Sequence, residues 1–176
     1  MNLGLFILRV VVGGLFIGHG TQKLFGWFEG HGLEGTGGWF HSIGYRPGKR
    51  MAAVGGVAET AGGALLVLGL LTPFGAAAII GVMVNAMVAV HAPNGLWNDK
   101  GGMEFPLVMS AAATTLAFTG PGSFSVDNAI GLSLDGLGWG LIAIAIGLIS
   151  GVTVTGMRKE EEVEAERAEE ERRRAA

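Results

Sequence analysis

Cysteine is absent from the 176 residues. That removes disulfide frameworks, thiol nucleophiles, Cys-ligated zinc, iron–sulfur clusters and covalently attached haem. Charge is scarce as well. Asp, Glu, Lys and Arg make up 15% of the chain, well under the usual quarter. The shortage is concentrated, because 14 of the 27 charges lie in residues 158–176 and only 13 in the first 157. So few cannot build a water-soluble surface. The net charge is −3 with no basic face, so no nucleic-acid partner is expected. The chain also lacks a dinucleotide fingerprint, a P-loop, a Ser–His–Asp set and any short ligand spacing such as H-E-x-x-H, and no metal is expected.

What the first 157 residues hold instead is apolar sequence. Five segments stand out, at about 3–25, 51–71, 74–91, 104–119 and 138–157. Most approach the roughly 20 residues that cross about 30 Å of hydrocarbon. An all-α polytopic transmembrane helix bundle is therefore predicted. The first segment has no basic n-region and no A-x-A site, and reads as a retained helix. Thr72-Pro73 suits a helix start, with Thr72 as N-cap, so the second and third segments form a tight hairpin. Glycine, at 32 residues, favours close helix contact in lipid. The pairs Gly14/Gly18, Gly136/Gly140 and Gly147/Gly151 are expected to serve packing within the chain, with a homo-oligomer contact as the alternative.

Lys23, Arg46, Lys49, Arg50, Lys100, Arg158 and Lys159 fall on one side of such a bundle, and the opposite side has no Lys or Arg. The positive-inside rule then predicts a plasma-membrane protein with its N-terminus outside and its tail cytoplasmic. The connection 26–50 interleaves glycine with Trp27, Phe28, Trp39, Phe40 and Tyr45, rings suited to the headgroup region. It reads as an interfacial anchor, or alternatively as a lid over a site between helices. The tail, acidic first and basic last, matches the helix dipole and allows i,i+4 pairs such as Glu169–Arg173, so a solvated helix is predicted.

Ionisable groups at membrane depth cost a few kcal/mol and are functional candidates by default. Arg9 and Glu59 differ in level by roughly 10 Å, so a buried Arg9–Glu59 ion pair is predicted. It would either fix helix register or carry function. His19, Gln22 and Lys23, at i, i+3 and i+4, share a helical face. His91 closes the third segment, Glu104 opens the fourth, and Asn94 lies between them. This cluster could relay protons or hydrogen-bond a quinone-like carbonyl, or simply cap helices and anchor them at the interface. Nothing supports a haem between His19 and His91.

Leu8-Arg9-Val10, followed by the run from Phe16 through His19-Gly20-Thr21-Gln22-Lys23-Leu24-Phe25-Gly26-Trp27 to Phe28, resembles the opening of the DoxX family of small membrane proteins. Glu59-Thr60-Ala61-Gly62-Gly63 running to Thr72, His91-Ala92-Pro93-Asn94-Gly95, Gly101-Gly102-Met103-Glu104 and Gly120-Pro121-Gly122-Ser123-Phe124-Ser125-Val126-Asp127 continue the likeness over about residues 3–130. The resemblance implies a four-helix membrane unit at 1–130. A further transmembrane helix at 131–157 and a charged cytoplasmic helix at 158–176 are then additions. The family is similar to the quinone-reducing subunit of an archaeal thiosulfate:quinone oxidoreductase. Arg9, His19, Gln22, Lys23, Glu59, His91, Asn94 and Glu104 stand at its pattern positions.

Three functions follow as expectations. The first is a quinone-interacting subunit of a membrane redox system, drawing electrons from a redox partner protein or directly from a substrate. The second is a non-catalytic scaffold that recruits a soluble partner through the tail or the 26–50 connection. The third is a small-solute carrier that uses Arg9–Glu59 as its coupling pair.

Overall fold

In the computed structural model, residues 2–175 are described, with the side chains of the terminal helix described in part. The regular elements among them are helical. They are α1 (Asn2–Phe25), α2 (Gly32–Ser42), α3 (Gly48–Leu68), α4 (Thr72–Ala86), α5 (Glu104–Thr119), α6 (Val126–Ala129), α7 (Leu137–Thr155) and α8 (Glu160–Ala175). A π turn over Met87–His91 and a 3-10 turn over Ala92–Asn94 prolong α4. Pro93 lacks the N–H that another α turn would need, so the helix leaves α geometry as it approaches that residue.

Four helices are long and apolar enough to cross a membrane: Asn2–Phe25, Gly48–Leu68, Thr72–Asn94 and Leu137–Thr155. Of the five predicted crossings the fourth, at 104–119, is not shown, because α5 has 16 residues and rises only about 24 Å; the last, at 138–157, is present as α7. On α1, Leu3, Ile7, Val11 and Leu15 recur every four residues and all are exposed. A stripe of this kind would be a liability in water and is a lipid-facing surface in a bilayer. The opposite faces enclose a core of Val12, Phe16, Leu66, Ile79, Ile80 and Leu116.

Glycine sets how closely the helices approach. A Cβ at Gly13 would lie 2.5 Å from the Gly63 carbonyl oxygen, and one at Gly20 would lie 2.6 Å from that of Gly56. The antiparallel pair α1/α3 is therefore in backbone contact, with 13 opposite 63 and 20 opposite 56. Gly147 and Gly151 do the same for α7 on α4, where added Cβ atoms would meet Ile80 Cγ2 at 2.5 Å and the Gly81 carbonyl at 2.7 Å. Cβ atoms at Gly14 and Gly18 would meet nothing within 4 Å. Gly20→Leu and Gly63→Leu should therefore each lower stability by about 2–3 kcal/mol through overpacking. Gly14→Leu and Gly18→Leu should stay within about 0.5 kcal/mol of the parent. Thermal unfolding in mild detergent separates the two sets.

The hairpin between α3 and α4 departs from the expected capping. Gly69, at φ 61°, ends α3. Its N–H donates to the Leu66 carbonyl at 3.0 Å and the Leu70 N–H to that of Leu65 at 2.9 Å, a Schellman closure. Leu71 is also left-handed, at φ 48°. Thr72 is not the N-cap but the first helical residue. The cap comes from outside the hairpin. Asp127, fully buried, accepts the Leu71 N–H at 2.8 Å, the Thr72 N–H at 3.2 Å and the Thr72 hydroxyl at 3.1 Å. A carboxylate at a helix N-terminus satisfies orphan donors and complements the dipole, as threonine would do more weakly.

The connection 26–50 is partly helical, as α2, and packs on α3: a Cβ at Gly37 would lie 2.8 Å from Lys49 Cα. Its far end is tied to the start of the tail. Arg158 Nε donates to the Ile43 carbonyl and the Lys159 N–H to that of Gly44, both at 2.9 Å. The predicted Glu169–Arg173 pair forms on α8.

Candidate functional site

The register of α1 on α3 decides which charges meet. With 13 opposite 63 and 20 opposite 56, residue 9 falls opposite 67 and residue 17 opposite 59. Side chains on a helix lean towards its N-terminus. On antiparallel helices Lys23 therefore leans up the bundle while Glu59 leans down it, and they close a stagger of six residues, roughly 9 Å. Lys23 Nζ lies 2.6 Å from Glu59 Oε2, with the two side chains 24% and 4% exposed. Arg9, on the same helix, also leans up the bundle, and because it starts above the level of Glu59 this carries it away from that carboxylate. The predicted Arg9–Glu59 pair is thus corrected: Lys23 is the partner of Glu59.

Arg9 is fully buried at the opposite end. Its Nη1 donates to the Leu66 and Val67 carbonyls, each at 2.9 Å, and its Nη2 to the Phe124 carbonyl. Leu66 and Val67 end α3, where a cation complements the helix dipole. A Cβ at Gly69 would lie 2.5 Å from Arg9 Nη1, so the turn needs glycine for both its backbone angle and its space. Arg9 and Asp127 thus brace the two helix ends of the α3–α4 hairpin from either side.

Glu59 sits near the middle of α3, and cavities open on either side of its pair with Lys23. One, of about 230 Å³, is lined by His19, Lys23, Glu59, His91, Phe105 and residues of the 39–45 stretch. A second, of about 360 Å³, runs between α3, α4 and α7 and shares Lys23, Phe40, Glu59, Val82 and Asn85 with the first. Lys23 also borders a third hollow of about 250 Å³ with Gln22, Glu29 and His31. Trp39, Phe40, Ile43 and Tyr45 belong to the first cavity's wall, so the connection covers the site as a lid would.

Within the first cavity, His19 stacks edge-on against Phe16 and Phe105, with centroids 6.4 and 6.2 Å away. Among the described residues its ring nitrogens meet no hydrogen-bond partner. His91 Nδ1 lies 2.7 Å from the Gly101 carbonyl oxygen. A carbonyl only accepts, so Nδ1 carries the proton and Nε2 is the acceptor in the neutral ring.

Three predicted residues lie beside the cavity rather than on its wall. Gln22 Nε2 donates to the Phe28 carbonyl at 3.1 Å. Asn94 Nδ2 donates to the Val90 and Gly101 carbonyls at 3.4 and 3.3 Å. Glu104 turns away from the imidazoles: its Oε2 accepts the Asn98 N–H at 2.9 Å. Of the predicted polar residues, His19, Lys23, Glu59 and His91 thus share one cavity wall, and Gln22, Asn94 and Glu104 do not.

Asn85 completes the site and escapes the sequence reading; Tyr45 is legible there only as one of the rings of the 26–50 connection. Asn85 Nδ2 donates to the Tyr45 hydroxyl and, at 3.0 Å, to Thr155 Oγ1. This joins α4, the lid and α7. The signal was an amide alone in an apolar stretch, which in lipid must find a partner.

This geometry defines a membrane-embedded helix bundle with a covered polar site between the middle of α3 and the end of α1. The sequence model of the DoxX family matches residues 4–92. The chain belongs to the DoxX family. Arg9, His19, Gln22, Lys23, Glu59 and His91 lie inside the matched segment, while Asn94 and Glu104 lie beyond it. No curated protein and no solved structure matches the chain.

Proposed function

We propose that this DoxX protein binds a quinone headgroup against the Lys23–Glu59 pair, as a subunit of a membrane redox system. The observation that carries the reading is an ion pair with a buried carboxylate, facing a cavity it shares with an imidazole that makes no hydrogen bond among the described residues. Native proteins seldom keep a charge pair at that depth without use for it. The residues fit the group. The Lys23 ammonium donates to a carbonyl oxygen, Glu59 exchanges a proton at its carboxylate, and the His19 ring nitrogens donate or accept as the bound species requires. Phe105, Phe40 and the lid exclude water from the ring faces.

A bound quinone supplies two-electron, two-proton redox capacity; the electrons come from a partner protein or a substrate. The hollow bordered by Gln22, Glu29 and His31 gives protons a route to Lys23 from the basic end of the bundle. By the positive-inside rule that end faces the cytoplasm of the plasma membrane. The carrier reading loses its coupling pair, since Arg9 and Glu59 do not meet.

Purified protein in mild detergent should carry about one quinone per chain, read by ultraviolet absorption and mass spectrometry of an organic extract. Glu59→Gln and His19→Ala should lower that occupancy about tenfold, the usual effect of losing a hydrogen bond to a charged or buried group. Protein that neither retains nor takes up quinone overturns the reading.

A further inference from the structure

We infer that the cavity between α3, α4 and α7 is a chain subsite, so that the ligand is an amphipath with a ring headgroup and one long apolar chain, as in a prenylated quinone. The inference rests on the headgroup reading and extends it to the substrate class. Three features carry it. The cavity is lined by Lys23 and Glu59, and it shares Phe40, Val82 and Asn85 with the headgroup chamber. Its remaining walls are almost wholly apolar, and small residues on the helix faces, Gly55, Ala58, Ala78 and Gly81, leave the space. Its rim includes Val54 and Phe74, both exposed on the surface that meets hydrocarbon.

Depth then selects the occupant. A bilayer phospholipid holds its polar group at the interface and could offer Glu59 only the methyl end of an acyl chain. A molecule with its polar ring at the Lys23–Glu59 pair and its chain leading out to the hydrocarbon fits the whole cavity. With volumes of about 230 and 360 Å³, the paired cavities fall in the usual range of ligand sites, roughly 300–1,000 Å³.

Gly55 offers a clean test. A Cβ there would have as its nearest neighbour Phe40 Cζ, at 3.9 Å, so leucine fills the cavity without striking backbone. The experiment compares wild type, Gly55→Leu and Glu59→Gln in lipid nanodiscs. The probes are ubiquinone and menaquinone with long isoprenoid tails, and their tail-less ring analogues. Wild type should bind the tailed quinones about tenfold or more tighter than the analogues. Gly55→Leu should erase that advantage while keeping tail-less binding within about twofold, and Glu59→Gln should weaken both classes. Ala58→Leu repeats the block from one turn further along, so the outcome does not hang on the folding of one variant.

If both leucine variants keep the tail advantage, the subsite is refuted and the headgroup reading stands. The same holds if wild type shows no tail advantage, or if a photoreactive phospholipid labels Ala58 and tailed quinone does not displace it. If wild type binds no quinone of either class, the headgroup reading fails and the subsite fails with it.

Discussion

Lys23→Met should lower the stability of the bundle by about 3–5 kcal/mol, and Glu59→Gln by less, about 1–2 kcal/mol. The two partners are unequally placed. Glu59 is 4% exposed at its side chain and Lys23 24%, and Lys23 is the only cation that meets Glu59 among the described residues. Removing the lysine strands a carboxylate in the middle of α3 without a counter-charge. Removing the carboxylate leaves an ammonium on the last turn of α1. Its flexible stem can carry it outward to the interface, and the α1 C-terminal dipole favours it there. Unfolding in detergent should give that order, with the double variant Lys23→Met/Glu59→Gln less destabilised than Lys23→Met alone. If Glu59→Gln is instead the more damaging single change, the pair serves to hold the lysine. Proton exchange at the site would then belong to the imidazoles.

The same pair marks where sequence reasoning stops. The spans near 3–25, 51–71, 74–91 and 138–157 are legible because apolar length is a property of the chain alone. His19, Lys23, Glu59 and His91 are legible because each is costly at membrane depth. Choosing partners needs more. Depth alone pairs Arg9 with Glu59, but contact also depends on rotation about the helix axis and on the N-terminal lean of side chains. Both follow from the approach of Gly13 to Gly63 and Gly20 to Gly56, which no spacing within α1 reveals. Asn85 and Tyr45 come from segments 40 residues apart, and only the fold of the 26–50 connection unites them. Asp127 sits in a stretch that reads as loop, and the two backbone N–H groups its carboxylate accepts belong to the hairpin turn, 56 and 55 residues earlier.

Asp127 is accordingly the site of the second large effect, with Asp127→Ala expected to cost about 3–5 kcal/mol. The substitution removes the acceptor of the Leu71 and Thr72 N–H groups and the Thr72 hydroxyl, all at a buried helix start. It also leaves Leu71 in the left-handed region without the bond that holds it there. Across the turn, Arg9→Met should cost a similar amount, because the end carbonyls of α3 and the Phe124 carbonyl lose their donor and no water replaces it. Neither residue touches the cavities around Glu59, so quinone bound by protein that remains folded should be unchanged in amount. The two losses should not add. Once the Arg9 charge is gone, Asp127 no longer has a buried cation to balance. With Asp127 gone, the turn that presents the α3 carbonyls to Arg9 is already loosened. The double variant should therefore fall short of the sum of the single changes by about 1–2 kcal/mol, measured as a double-mutant cycle of unfolding free energies in one detergent. Full additivity would mean that the two charges stabilise α3 and α4 separately and that the hairpin does not act as one braced unit.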